Sequence, residues 1–270
     1  MRAEALILDR PILDEQSDPI RFSDSLADIE DSWEMPLLRW KEEESGASKL
    51  NAADALQRIT RFVPGPGRLL DFGCGGGFFM ATAKEQGWET FGLDPLPGHA
   101  VYARVLSGAT VINDILRSDS FPKNSFDAIT AFQVFEHLPD PLDDLRRLFS
   151  FLRPGGVLLV EVPNIATWSV RLLGPRHRHF AQDHLYFYSA DTLSRMMSDC
   201  GLEIASIYYP ARRMTMRYLI VHWIGSRLGH RVRRQIYEFL SRTSVSRMII
   251  PMKLGDIVAV IGKKDGYESG

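Results

Sequence analysis

The chain has 270 residues, 45% of them hydrophobic and 24% charged, enough for one large α/β domain plus a cap. A formal net charge of -2 exerts no global pull on nucleic acid or anionic membrane, and two cysteines, Cys74 and Cys200, are too few for a disulfide framework or a cysteine metal site. The acidic start (Glu4, Asp9, Asp14) is not a signal peptide, and the longest apolar stretch of the C-terminal third, Tyr218 to Gly225, falls short of the roughly 20 residues of a membrane helix, so a cytoplasmic location is expected.

Residues 1–48 are acidic and broken by Pro11, Pro19 and Pro36, and are read as a mobile segment. Its cluster of Trp33, Leu37, Leu38 and Trp40 either packs on the domain or forms a flap over a ligand site. The domain proper is expected over 49–270. Asn51 is read as the cap of a helix with Ala55, Ile59 and Phe62 on one side, ending before Pro64-Gly65-Pro66-Gly67.

The stretch from Arg68 to Phe79 then reads as strand, tight loop and helix: Leu69-Leu70 leads into Asp71 and a turn with glycines at 73, 75 and 77. Such glycines allow positive φ and remove Cβ atoms that would hold a ligand away from the backbone. A dinucleotide fingerprint needs a small residue where Phe78 stands, which argues against that ligand class. Gly87 ends the helix, and Glu89 to Asp94 forms a second strand. Asp94 thus sits at a strand's carboxyl end about 20 residues beyond the glycine turn, where a parallel α/β fold places a carboxylate that accepts from ribose hydroxyls.

Thr110-Val111-Ile112 is a short third strand before Asn113-Asp114-Ile115, and Phe126 to Phe132 a fourth, followed by Gln133-Val134-Phe135-Glu136-His137-Leu138-Pro139-Asp140-Pro141. A helix over Leu142 to Leu152 stops at Arg153-Pro154-Gly155-Gly156, and Val157 to Val162 is the fifth strand. Strands alternating with helices predict an open parallel sheet. A loop rich in His and Arg (Gly174 to Phe180) leads through Gln182 and His184 to Ser189 or Asp191, either of which can cap a helix with Leu193, Met196 and Met197 inward. Leu202–Tyr209 and Asp256–Gly262 supply strands six and seven. Between them, residues 211–252 read as mostly helical, with nine arginines from Arg212 to Arg247 against one carboxylate, Glu238. That block is either an amphipathic helical pair with a solvated basic face or a cap that receives an anionic or lipid-linked group, with peripheral contact to a membrane surface.

The combination of Asp71-x-Gly-x-Gly-x-Gly, Asp94, Glu136-His137-x-Pro-Asp-Pro and Leu152-x-Pro-Gly-Gly resembles the class I S-adenosylmethionine (SAM)-dependent methyltransferases, in the branch that includes ubiquinone-pathway O-methyltransferases and bacterial small-molecule enzymes. The resemblance covers about residues 69–262. It implies an α/β, Rossmann-like, seven-stranded, mostly parallel sheet with helices on both faces and a helical insertion between strands six and seven. It also implies SAM as methyl donor and a small-molecule or lipid-linked acceptor, most simply a hydroxyl oxygen, rather than nucleic acid. Transfer to carbon or nitrogen of a sugar or natural product, or a SAM-binding module without catalysis, are the alternatives.

On the donor side the resemblance assigns Asp71 to the amino end, Gly73, Gly75 and Gly77 to the loop against the methionine, and Asp94 to the ribose. Pro95, Asp114 and Ile115 would border adenine, and Phe132 and Gln133 would close over the methionine. His137 and His184 are the candidate bases or acceptor contacts, each with a structural alternative: a capping or core histidine for His137, a loop histidine bonded to Asp183 for His184. Some relatives bind a divalent metal through Glu-x-x-Glu-His and a distant His. Here Gln133 replaces the first glutamate, which weakens a site for a hard cation, so no metal is expected.

Overall fold

Leu69-Leu70, Ala128-Ile129 and Leu158-Leu159 show no polar alternation because both faces of their strands are covered. Leu70, Ile129 and Leu158 point into one core, with Leu145, Leu148, Phe151, Leu193 and Met197 from helices on that side. Leu69, Ala128 and Leu159 point into the other, with Leu56, Ile59, Ala83 and Trp88. The computed structural model that shows this describes residues 45–174, 177, 179–181, 183–221, 230–241 and 243–266, with the backbone alone for 230, 231, 233, 234, 238 and 241.

In chain order the elements are α1 (Ser45–Ile59), β1 (Arg68–Phe72), α2 (Phe78–Glu85), β2 (Glu89–Leu93), α3 (Pro97–Ser107), β3 (Thr110–Ile112) and β4 (Phe126–Phe132). There follow α4 (Pro141–Phe151), β5 (Leu152–Pro163), α5 (Trp168–Leu173), α6 (Ala190–Asp199), β6 (Leu202–Tyr208), β7 (Arg212–Thr215), α7 (Met216–Leu219), α8 (His230–Ser241), β8 (Ile249–Met252) and β9 (Ile257–Lys264). Seven strands form one sheet in the order β3-β2-β1-β4-β5-β9-β6. All pairs are parallel except those of β9, which runs antiparallel to β5 and β6. The chain moves outward from β1 to β3 and then crosses to β4 on the other side. The loops after β1 and β4 therefore diverge at a crevice over the strands' carboxyl ends.

Three expectations are corrected by this architecture. Asn51 does not cap a helix: α1 begins at Ser45, and Asn51 lies inside it. Its amide donates to the Arg213 carbonyl at 2.9 Å and accepts from the Arg213 N–H at 2.9 Å, imitating one rung of a strand ladder and fastening β7 to the domain. The insertion is not simply helical, because its ends, β7 and β8, pair as an antiparallel hairpin that carries α7 and α8 between them. Four residues per strand, with Pro251 in one, leave too short an alternation to read. Finally, β5 starts at Leu152 without a break after α4, absorbing the Arg153–Gly156 segment as a register shift against β4. Trp33, Leu37, Leu38, Trp40, Pro175, Arg176, Arg178, Gln182, Trp223, Arg227 and Arg242 lie outside the described residues.

Asn51→Ala removes two partly buried hydrogen bonds, and the expected loss is about 2 kcal/mol in denaturant unfolding together with faster proteolysis of the hairpin. Unaltered stability and protease resistance would show that the hairpin is held by other contacts.

Candidate functional site

The loop after β1 turns back under β2. Gly73 and Cys74 donate their N–H groups to the Leu93 carbonyl at 2.8 and 3.2 Å, and the Gly75 N–H donates to Asp94 Oδ2 at 2.8 Å. Glycines 73, 75 and 77 all have positive φ, at 71°, 52° and 77°. At two of them the missing Cβ serves packing: at Gly73 it would meet Val134 Cγ2 at 2.4 Å, and at Gly77 the Ala103 backbone at 2.9 Å. The first contact lets the β1 and β4 loops touch across the crevice; the second lets α3 press against the start of α2.

Asp94 is only 5% exposed. Its Oδ1 accepts from the Leu96 N–H at 3.0 Å and lies 3.5 Å from His99 Nδ1, so both oxygens are oriented by the backbone and each keeps lone-pair capacity for a further donor. Asp71 is buried within β1 and accepts from Thr130 Oγ1 at 2.8 Å. Across the β3 edge Pro95 and Ile115 are exposed, and the half-exposed Asp114 pairs with Arg117 at 3.2 Å. Phe132 ends β4 with its ring 4.8 Å from that of Phe79, and Gln133 follows at a positive φ of 56°, its N–H donating to the Glu161 carbonyl at 2.8 Å.

Beyond Gln133 the chain makes one tight turn, Phe135–His137, and the segment after β5 folds back onto it. Leu185 and Tyr186 donate their N–H groups to the Glu136 carbonyl at 2.7 and 3.2 Å, and Tyr188 Oη donates to the Phe135 carbonyl at 3.3 Å. These bonds bring His184 beside His137, ring centroids 4.8 Å apart in an edge-to-face arrangement. His137 Nδ1 is 2.9 Å from the Asp183 carbonyl, and His184 Nδ1 is 2.8 Å from the His179 carbonyl. A carbonyl only accepts, so each Nδ1 carries the hydrogen and each Nε2 of a neutral ring presents its lone pair. Burial, then the neighbouring His137, lowers the His184 pKa below the usual histidine value, so its ring is neutral at pH 7.

Between them stands Glu136, 1% exposed, with neither carboxylate oxygen hydrogen-bonded among the described residues. Burial pushes its carboxyl up to about 7; its own backbone N–H and then Arg212 oppose the rise, and Glu161 and Asp183 add to it. One donor atom from each of Glu136, His137 and His184 lies within 4.8 Å of the others.

A family model described as a methyltransferase domain matches residues 47–207. The chain belongs to the methyltransferase domain family. Among curated proteins it is 27% identical to a ubiquinone biosynthesis O-methyltransferase of Xanthomonas axonopodis over 189 residues, 63% of this chain and 77% of that protein. It is 31% identical to the tRNA U34 carboxymethyltransferase of Saccharophagus degradans over 147 residues, 51% of this chain and 45% of that one. A crystal structure of a SAM-dependent methyltransferase from Archaeoglobus fulgidus superposes with a TM-score of 0.55 at 21% identity, covering 80% of this chain and 94% of that one, which bears on the fold.

The methyltransferase uses SAM as its donor, and the crevice suits it. A buried, pre-oriented carboxylate at Asp94 and a glycine loop whose amides are held in place are what a ribose and an amino acid moiety require. The methyltransferase also carries a donor set that suits a divalent cation: a buried carboxylate with no side-chain partner among the described residues and two imidazoles whose Nδ1–H groups are anchored to carbonyls. Gln133 had argued against a metal, and the three remaining donors nevertheless converge.

The expected site residues therefore fall into two groups: Asp71, Gly73, Gly75, Gly77, Asp94, Pro95, Asp114, Ile115, Phe132 and Gln133 along one rim of the crevice, and His137 with His184 beyond the β4 loop. Glu136 is not among the expected site residues, although it stands as the second glutamate of the Glu-x-x-Glu-His pattern; the loss of the first at Gln133 is what set it aside. Glu161 and Arg212, which pair at 3.0 Å, were not legible, because strand β5 and the hairpin meet only in the fold.

An unpartnered buried carboxylate has a stability consequence. The Glu136 pKa is raised from 4.5 to about 7 in the fold, so the folded state favours the protonated form, and the stability present below pH 4.5 is lost as pH rises through 7. That rise corresponds to about 3 kcal/mol. In chelator, Glu136→Gln is expected to melt higher than the parent at pH 8 and much like it at pH 4.5; equal melting at both would show that the carboxylate finds a partner.

Proposed function

We propose that this methyltransferase transfers the SAM methyl group to a hydroxyl oxygen of a small-molecule or lipid-linked acceptor bound against Glu136, His137 and His184. The observation that carries the reading is a pair of imidazoles with Nδ1 bound to carbonyls, so that Nε2 is left free, within 4.8 Å of a buried carboxylate on the loop after β4. Methyl transfer from a sulfonium is an in-line displacement, so the protein's tasks are alignment and removal of the hydroxyl proton.

On the donor side, Asp94 would hold both ribose hydroxyls, Asp114 and Ile115 border the adenine, and Asp71, the glycine loop and Gln133 enclose the methionine. On the acceptor side, Glu136, His137 and His184 would hold a divalent cation, which when bound lowers the pKa of a hydroxyl in contact with it. A second reading, in which His184 Nε2 takes the hydroxyl proton directly, is favoured by its lowered pKa, which leaves it unprotonated at neutrality.

The hairpin insertion supports an acceptor with an anionic or apolar extension: Arg212 stands beside Glu161, while Phe239, Val245 and Met248 are 69%, 59% and 56% exposed. Incubating the protein with radiolabelled SAM and hydroxylated acceptors, including prenylated phenols, tests the reading. Label in an ether product supports it, and label only in amine, carbon-methylated or nucleic-acid products removes it.

A further inference from the structure

The proposed cation site differs from a carboxylate-rich one at a single position, and the structure indicates what that difference selects. We infer that the donor set of Glu136, His137 and His184, with Gln133 beside it, favours a nitrogen-preferring transition ion such as Zn²⁺ or Co²⁺ over Mg²⁺. This rests on the reading that these three residues hold a cation at all.

The argument is one of charge and donor type. Mg²⁺ gives up its water reluctantly and is held by charged oxygens, whereas imidazole nitrogen suits Zn²⁺, Co²⁺ and Ni²⁺. Two of the three convergent donors here are imidazoles, and both are already in the tautomer a metal needs, since the Asp183 and His179 carbonyls hold the Nδ1 hydrogens. The only carboxylate among them is Glu136, so the set carries one negative charge. Gln133 adds none, and its Nε2 lies 3.4 Å from the Glu161 carbonyl, which turns the amide nitrogen toward β5.

Neither nearby acid makes up the deficit. The Glu161 carboxylate is engaged by Arg212 at 3.0 Å. The Asp183 carboxylate lies 3.6 Å from His137 Nδ1, the ring nitrogen that the Asp183 carbonyl already engages. The net charge left over is the same for any divalent ion, so donor type decides: a hard cation finds a single charged oxygen here, while a transition ion gains two strong nitrogen bonds.

The test is direct binding of Mg²⁺, Co²⁺ and Zn²⁺, each alone, to chelator-stripped full-length protein by calorimetry, with the visible absorption of the Co²⁺ complex as a second readout. Far-UV circular dichroism and the melting temperature on the same samples report that each variant is folded, and SAM affinity is measured alongside. The expected result is Co²⁺ and Zn²⁺ binding about 10²-fold or more tighter than Mg²⁺, a Co²⁺ band lost in His184→Ala, and a Gln133→Glu variant in which Mg²⁺ binds at least about 10-fold tighter than in the parent. Mg²⁺ binding the parent as tightly as Co²⁺ overturns the inference and leaves the cation site standing. No binding by any ion, or a Co²⁺ band that survives both His137→Ala and His184→Ala, overturns the inference together with the site. SAM binding in those samples would keep the methyltransferase assignment separate from either failure.

Discussion

Asp94→Ala is expected to weaken SAM binding by about 3 to 6 kcal/mol, roughly 10² to 10⁴-fold in Kd, because it would remove the two charge-assisted hydrogen bonds proposed to hold the ribose. The structure adds a reason for the upper end of that range. Asp94 also accepts from the N–H groups of Gly75 and Leu96, so the same carboxylate shapes the loop that receives the methionine. Asp94→Asn keeps one acceptor oxygen but presents an amide to a backbone donor, and its affinity should fall between those of the parent and the alanine variant. Calorimetry showing parental affinity in Asp94→Ala would take Asp94 out of the donor site.

His137→Ala and His184→Ala are expected to lower kcat by about 10² to 10⁴-fold while leaving SAM affinity within about twofold of the parent. Neither ring is on the segments proposed to hold the donor, and their Nδ1 bonds to carbonyls leave the other nitrogen free. If His184 is the proton acceptor, activity should appear as pH rises through a value below the usual histidine range and be level by neutrality, since its pKa is lowered. If the residues hold a cation, chelator should reproduce in the parent the loss seen in the variants. Full turnover in both variants would leave the histidines as loop-fastening groups only.

Much of the donor half was legible in the sequence because it is local. The glycine turn follows its strand directly, and Asp94 ends the next strand, so each residue's place depends on only a few neighbours. The alternation of apolar strands with capped helices likewise carries the parallel sheet, and Ser189 caps α6 as its sequence context suggests, in a reciprocal pair with Thr192. What could not be read depends on tertiary contact. The reason for glycine at 73 is Val134, some sixty residues on by sequence and adjacent only after the crossover. The pairing of His137 with His184 needs the 183–188 segment to bond back onto the Glu136 carbonyl. Asn51 has the composition of a cap, and its use as a clamp on Arg213 follows from a hairpin whose strands are too short to announce themselves.

The acceptor half is also where burial and charge depart furthest from what stability alone would favour. The Glu136 carboxylate, buried and without a side-chain partner among the described residues, lowers the stability of the fold at neutral pH and lies beside two oriented imidazoles.

The most direct test of O-methylation at this cluster is to identify the atom that receives the label when the parent protein and His184→Ala are each given methyl-labelled SAM and a cell extract. The account predicts label in an O-methyl ether, formed by the parent and reduced at least about 10²-fold in the variant at unchanged SAM affinity. Label recovered on nitrogen, carbon or nucleic acid, or equally from both proteins, would contradict it.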